Sequence, residues 1–341
     1  MRNVFEIGNT QAKAGEMARG ALGSVELADG SKVKIPLVNV NGAEDGPVLT
    51  VVSGVHGVEL SPIGAVFGAL KRIDPASMRG ALLAVTCANP LAVRDEAYRT
   101  PLDKTNLSGP WFLPPVDQVS ATVTQRMAYH INNALEPADY VLDMHANPLP
   151  SIPFVITALQ LAPNDEVREG IREIAKAFGV TPINNRAKAP TGIMGTSVNN
   201  GKPALTPELA GNVFLWDSIT DLGTKGILNV MKSVGMLEGE PVKQNAVVLP
   251  GDLEAYGNLY AQRGGFMFVK KEPGVRLEKG ETVVEIANVY GDVVEEIKMP
   301  VDGYCWSFTG GLDGGGAGGS HAVAEGNKVA FVFTEQGEFG E

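Results

Sequence analysis

Apolar and polar positions change their period along the chain. From Pro47 to about Gly235, short β-branched runs alternate with stretches whose apolar residues recur every three or four positions. "PVLTVVSG" predicts a strand, and "SPIGAVFGALKRI" predicts a helix in which Ser61 serves as the cap and Pro62 suits the first position. "ALLAVTCANP" reads as a second strand stopped by Asn89 and Pro90. In "SATVTQRMAYHINNAL" the residues Val123, Met127, Ile131 and Leu135 share one helical face. "DYVLDMHA" is a third strand. "NDEVREGIREIAKAFG" aligns Val167, Ile171, Ile174 and Phe178 between a capping Asn164 and a terminating Gly179. Such alternation implies an α/β fold with helices covering both faces of a largely buried sheet.

The pattern changes after about residue 240. From "NAVVLPGDLEAYG" onward, runs such as "GGFMFVK", "ETVVEIANVYG" and "KVAFVFTE" alternate with glycine turns and carry no helical period, so residues 241–341 are expected to form a small β domain appended to a domain of residues 1–240. The first 40 or so residues also read as β, with Asp29-Gly30 as a hairpin turn, and are expected to lie as a ribbon on the edge of the sheet. "GGLDGGGAGG" holds a formal G-x-G-x-x-G at Gly314, Gly316 and Gly319, but outside any strand-turn-helix context, so it reads as a loop rather than a dinucleotide site.

Composition narrows the function. The 341 residues suffice for a large core, and 44% apolar with 20% charged residues is ordinary for a globular protein. No apolar run approaches the ~18 residues needed to span a bilayer, and the first residues contain no signal-peptide segment, so a cytoplasmic protein with no membrane contact is expected. Cys87 and Cys305 lie far apart and read as reduced, buried thiols. A formal charge of −11 with no offsetting basic cluster disfavours nucleic acid and favours small-molecule partners. A β region beside a cleft leaves room for a homo-oligomer.

The chemistry begins at "GVHGVEL", where His56 and Glu59 fall between a strand and the helix that starts near Ser61. Three apart across such a turn, an imidazole and a carboxylate can face one point, as metal ligands do; zinc needs a third protein ligand. His145, in "DYVLDMHANP", is the candidate, because in an open α/β sheet the carboxyl ends of strands line a common crevice. Asp143, two residues earlier, shares its face and can hold the imidazole from behind. Two His and one Glu leave one position for water, as catalytic zinc sites do. Spacing alone also allows the histidines to be satisfied loop residues.

Four stretches, "GPVLTVVSGVHGVELSPIGA", "ANPLAVRDEAYRTPLDKTNL", "DYVLDMH" and "GKPALTPELAG", in that order, resemble the succinylglutamate desuccinylase/aspartoacylase family of the zinc carboxypeptidase-like clan, over roughly residues 30–240. The β-rich tail resembles that family's appended domain. The resemblance implies a zinc-carboxypeptidase-like mixed sheet flanked by helices, one Zn2+ per chain, and hydrolysis of the amide bond of a small N-acyl substrate. His56, Glu59 and His145 then correspond to the zinc ligands, Glu208 in "LTPELAG" to the general base and acid, and Arg99 in "YRTPLD" to the arginine that steadies the oxyanion. After "DKTNL" the family continues with Asn-Arg, a pair that grips a substrate carboxylate, where this chain has Ser108-Gly109. The substrate is therefore expected either to lack that carboxylate or to be gripped elsewhere, by Arg186 or Lys188. Asn106, Ser108, Trp111 and Arg186 are the candidate substrate contacts, with Phe112 beside Trp111.

Weaker signals belong to the background. His130 lies on the predicted helix with Met127, and His321 follows the glycine-rich loop. No G-x-S-x-G elbow supports a serine hydrolase. The alternatives are a metallocarboxypeptidase, disfavoured by the missing Asn-Arg pair, and a non-catalytic carrier or binding protein, since "EIKMPVDG" resembles the turn that carries the modified lysine, here Lys298, in biotinyl and lipoyl domains.

Overall fold

The computed structural model describes residues 3–112, 120–186, 189–211, 214–249, 253–308 and 321–335. The hairpin β1 (Val4–Ile7) and β2 (Thr10–Lys13) precedes two long antiparallel strands, β3 (Glu16–Glu26) and β4 (Lys32–Asn41). The alternating section follows as β5 (Glu44–Val52), α1 (Ser61–Arg72), β6 (Arg79–Val85), α2 (Pro90–Arg94), α3 (Val123–Leu135), β7 (Tyr140–Asp143), β8 (His145–Asn147), β9 (Phe154–Thr157), α4 (Asp165–Phe178), β10 (Thr181–Asn184), α5 (Gly192–Asn199), β11 (Ala204–Ala210) and α6 (Asp217–Ser233). The tail is β12 (Leu253–Tyr260), β13 (Gly265–Val269), β14 (Arg276–Leu277), β15 (Thr282–Ala287), β16 (Val293–Lys298), β17 (Gly303–Phe308), β18 (Ala322–Val323) and β19 (Lys328–Glu335). Among the described residues no helix follows α6, and none is long and apolar enough to cross a membrane.

One mixed sheet organises the molecule. Its strands run β14-β17-β19-β12-β10-β9-β11-β7-β5-β6-β4-β3, with β8 paired to β11. Parallel pairing joins β6, β5, β7 and β11, and these strands read as nearly unbroken apolar runs because both their faces are covered. The N-terminal ribbon β3-β4 adds to the edge antiparallel, as expected, through a turn in which Gly30 takes the left-handed φ of +80°. The predicted helix faces are the buried ones: Met127, Ile131 and Leu135 in α3, and Val167, Ile171, Ile174 and Phe178 in α4, enter the principal core. Asn164 caps α4 by accepting from the Val167 amide at 2.9 Å, and Gly179 ends it at φ +86°. The start of α1 differs from expectation. Leu60 occupies the cap position, and Ser61 Oγ instead donates to the Ala210 carbonyl at 3.1 Å, tying the helix to the end of β11.

The C-terminal strands extend the same sheet. β12 pairs parallel with β10, and β19, β17 and β14 follow antiparallel, while β16-β15-β13-β18 form a second, four-stranded sheet that shares an apolar cluster with β14, β17 and β19. Between that cluster and the principal core lies a third, of Phe154, Ile183, Leu249, Leu253, Tyr304, Trp306 and Phe333. Trp306 is fully buried there, edge-on to Phe154 at 4.7 Å, and its Nε1 donates to the Ile152 carbonyl at 2.6 Å. Phe308 N donates to the Pro150 carbonyl at 3.1 Å, so the segment leaving β8 is pinned to β17. Both cysteines are free. Burial pushes the Cys305 thiol up to about 12 and the half-buried Cys87 thiol to about 11.

Candidate metal centre

Two neighbouring strands, β5 and β7, end beside a third, β11. Val52, the last residue of β5, pairs with Asp143, the last of β7, and Glu208 of β11 lies in parallel register with His145 of β8. The loop after β5, the start of β8 and the middle of β11 therefore meet at the carboxyl edge of the sheet. Two glycines shape the loop. Gly54 takes φ +69°, and Gly57 passes so close to α2 that a Cβ there would lie 2.0 Å from the carbonyl carbon and oxygen of Ala92.

This folding brings His56, Glu59 and His145 together, all buried, with one donor atom from each lying within 4.8 Å of the others. His56 Nδ1 is 2.8 Å from Glu59 Oε1, His145 Nδ1 is 3.0 Å from Glu59 Oε2, and the two Nδ1 atoms are 3.2 Å apart. The outer ring nitrogens fix the tautomers. Asn106 Oδ1 accepts from the Ser108 amide at 2.9 Å and faces His56 Nε2 at 3.0 Å, so that nitrogen carries the proton and Nδ1 presents a lone pair. Asp143 Oδ1 sits 3.1 Å from His145 Nε2 and orders that ring in the same sense. Two lone pairs and a carboxylate thus face one another in a buried space, an arrangement that a shared proton or a metal ion can hold together.

The electrostatics agree. Burial works to raise the Glu59 carboxyl, but the imidazoles of His56 and His145 outweigh it and hold the group near 2. For His145, burial opposes the charged ring, yet Asp143 and Glu59 beside it raise its pKa well above the ordinary value. The group could bind a metal: a divalent ion takes the place of the proton these residues otherwise share. Two nitrogens and one oxygen suit zinc.

Glu208 is only partly exposed. Its Oε2 accepts from Asn147 Nδ2 at 2.9 Å. Burial pushes its carboxyl up to about 8; His145 and Lys328 pull it down, and Glu59 and Asp143 add to the rise. Asn147 continues the face of Asp143 and His145, so strand alternation was the signal that could have found it. Tyr98 is a second residue that sequence reasoning missed. Its ring stacks on His56 with centroids 3.8 Å apart and an interplanar angle of 19°.

Other expected site residues lie differently. Arg99 is exposed, with Nη1 3.5 Å from the Lys104 carbonyl; Tyr98 takes the inward position on this loop and the next side chain turns out. Asn106 spends its carbonyl on His56 and the loop backbone. Ser108 packs on the first turn of α5, where Gly192, at φ +65°, has room for no more: a Cβ would meet Ser108 Oγ at 2.8 Å. Arg186 is exposed and paired with Glu254 through Nε at 2.8 Å. Lys188 and the side chain of Trp111 lie outside the described residues, as do the glycines at 310–319. Phe112 is buried in the principal core. His130 is half-buried against Gly23, His321 is exposed, and Lys298 ends β16 opposite Thr282 with Nζ 3.3 Å from Glu296, away from a hairpin tip.

Comparison with known proteins adds the following. The model of the succinylglutamate desuccinylase/aspartoacylase catalytic domain matches residues 45–234, more than half of the chain. A succinylglutamate desuccinylase/aspartoacylase from Rhodobacter sphaeroides shares the fold with a TM-score of 0.79 at 23% identity, covering 98% of this chain and 100% of that one. The product-bound ectoine utilization protein EutE (DoeB) from Ruegeria pomeroyi superposes at 0.81 and 20% identity, over 98% and 99% of the two chains. An aspartoacylase family protein from Mesorhizobium loti does so at 0.76 and 21%, over 98% of each. No curated protein sequence matches the chain.

Proposed function

Because the chain belongs to the succinylglutamate desuccinylase/aspartoacylase family, we propose that it is a zinc-dependent deacylase that hydrolyses the amide bond of a small N-acylated compound. The observation that carries this reading is the convergence of His56, Glu59 and His145 beside Glu208 at one edge of the sheet. One zinc ion per chain would be held by the two Nδ1 atoms and a Glu59 oxygen, and when bound it supplies Lewis-acid polarisation of an acyl oxygen and brings the pKa of a water to about 7.

The chain's own residues do the rest. Glu208 takes a proton from the attacking water as the new C–O bond forms, then delivers it to the leaving nitrogen as the C–N bond breaks. Burial raises the Glu208 carboxyl above the ordinary carboxylate range, so that it keeps the proton taken from water until the leaving nitrogen receives it. Asn147 keeps Glu208 in one orientation, while Asn106 and Asp143 hold the rings of His56 and His145. Arg99, exposed as it is, is given no step.

Metal content by mass spectrometry together with hydrolysis of a panel of N-acyl compounds tests the proposal. The expected result is one zinc per chain, turnover of at least one member, and a Glu208→Gln variant that keeps its metal while kcat/KM falls by about 10²–10⁴. A variant that binds zinc and hydrolyses as fast as the parent would overturn the assignment of the base.

A further inference from the structure

Two loops meet at His56, and the second is built to hold its ring. α2 ends in a reversal: Glu96 takes the left-handed φ of +47°, its amide donates to the Val93 carbonyl at 3.3 Å, and the Ala97 amide donates to the Ala92 carbonyl at 2.9 Å. Glycine usually fills the reversing position, and a glutamate adopts that conformation at a cost. The Ala97 carbonyl then accepts from the Gly57 amide at 2.8 Å, which joins this loop to the other one residue beyond the histidine. Tyr98, next in the chain and half-buried, lays its ring on His56 with centroids 3.8 Å apart and planes 19° from parallel.

The loop is fastened independently of the three candidate metal ligands. Thr100 is fully buried, and its Oγ1 accepts from Asn89 Nδ2 at 3.0 Å and from Thr124 Oγ1 at 2.6 Å. Its amide donates to the Thr105 carbonyl at 3.0 Å, and its carbonyl accepts from the Lys104 amide at 2.9 Å. Asn106 closes the loop at His56 Nε2, 3.0 Å away. One segment thus touches His56 twice, at a ring nitrogen through Asn106 and on the ring face through Tyr98. A hydrogen bond at one nitrogen leaves the ring free to tilt about that contact, and a parallel ring on its face removes the tilt. His145 is inclined 60° to the imidazole with centroids 4.8 Å apart, so it offers no parallel surface.

We propose that Tyr98 is a positioning residue of the metal centre: the face of its ring, rather than its hydroxyl, keeps His56 Nδ1 aimed at the point shared with Glu59 and His145. The proposal rests on the metal-centre reading above. An imidazole that gives its lone pair to a divalent ion becomes electron-poor, and the negative face of a phenol ring attracts it more strongly than it attracts the free imidazole. The stack therefore adds to metal affinity beyond what it adds to the fold.

The test measures zinc affinity by chelator competition in the parent, Tyr98→Phe, Tyr98→Leu and Tyr98→Met, with urea unfolding of the metal-free proteins beside it. Tyr98→Phe should bind zinc within a factor of about three of the parent, whereas Tyr98→Leu and Tyr98→Met, which lose the flat face, should bind about ten to a hundred times more weakly. The metal-free unfolding midpoints of all three variants should stay close to that of the parent. Parent-like affinity in Tyr98→Leu and Tyr98→Met, or a loss in Tyr98→Phe as large as theirs, would overturn the proposal. If neither Tyr98→Leu nor Tyr98→Met folds, the ring serves the fold rather than the metal, and the proposal falls as well. Nitrogen-15 NMR of the metal-free proteins, with His56 assigned by His56→Gln, reads the ring without zinc: the parent and Tyr98→Phe should show a single tautomer protonated at Nε2, and Tyr98→Leu a mixture. Should the parent bind no zinc, the metal reading fails, and the tautomer still decides for Tyr98: mixing in Tyr98→Leu supports its hold on His56, and one tautomer throughout removes it.

Discussion

The proposed catalytic edge and the aromatic junction share strands β9 and β11, where Glu208 stands opposite Phe154, yet they are held in opposite ways. At the edge nearly every side chain is polar and each is fixed by another polar group, as Asn106 fixes His56, Asp143 fixes His145 and Asn147 fixes Glu208. The junction holds chiefly by apolar contact and aromatic edges, with hydrogen bonds such as those from Trp306 to the Ile152 carbonyl and from Tyr304 to Glu335. Removing a group from the edge should therefore change chemistry more than stability, and the reverse should hold one strand away. In the proposed centre His145→Ala takes away one of three donors and should abolish zinc binding, reducing kcat/KM at least about a thousandfold, or ~4 kcal/mol of barrier. Metal analysis and circular dichroism of the same sample would check it; a variant that keeps a full equivalent of metal breaks the comparison.

Trp306→Ala is the matching cut in the junction. It empties a fully buried indole site and orphans the Ile152 carbonyl, so unfolding stability should fall by about 3–5 kcal/mol in urea titration, while metal stoichiometry at permissive temperature stays at that of the parent. Gly57→Ala should sharpen the contrast with a mixed effect. Its Cβ would collide with the Ala92 carbonyl, so either α2 or the His56 loop must shift, at about 1–3 kcal/mol and with weaker metal binding as well. Stability and zinc affinity measured together would show both losses in this variant alone.

How much of this was legible in the chain depended on how local the cause was. The helix faces of α3 and α4 and the strands β5 and β7 followed from periodicity because burial on one or both faces imposes it. His56 and Glu59 were visible as a pair because a single turn joins them, and His145 because parallel strands end on one side. Glu208 was reached only through family resemblance, since nothing in "LTPELAG" distinguishes it from any other strand glutamate. The loop around Arg99 has no period from which to tell which side chain turns inward, and there the structure places Tyr98 on His56. Ser61 looked like a cap, but the cap position depends on how the loop enters α1, and the hydroxyl found the end of β11 instead.

The smallest effect tests how the loop bearing Tyr98 and Asn106 is anchored. Asp103 accepts from the Thr124 amide at 2.8 Å, from Thr124 Oγ1 at 2.7 Å and from the Thr105 amide at 3.1 Å, clasping the loop to the first turn of α3. Burial works to raise its carboxyl, but the bonds from Thr124 and Thr105 outweigh it and hold the pKa below the ordinary value. A carboxyl depressed in the folded state contributes stability that is fully present above its unfolded pKa of about 4 and is lost as pH falls through the lower folded value. Asp103→Asn should therefore cost about 1–2 kcal/mol at neutral pH, an amount held down by partial solvent exposure. Urea midpoints measured from pH 7 to pH 3 should show parent and variant separated by a constant gap above pH 5 that narrows below pH 4. A gap that widens on acidification would mean that the loop is held by something other than this carboxylate, and that the edge depends less on polar fastening than the contrast with the junction requires.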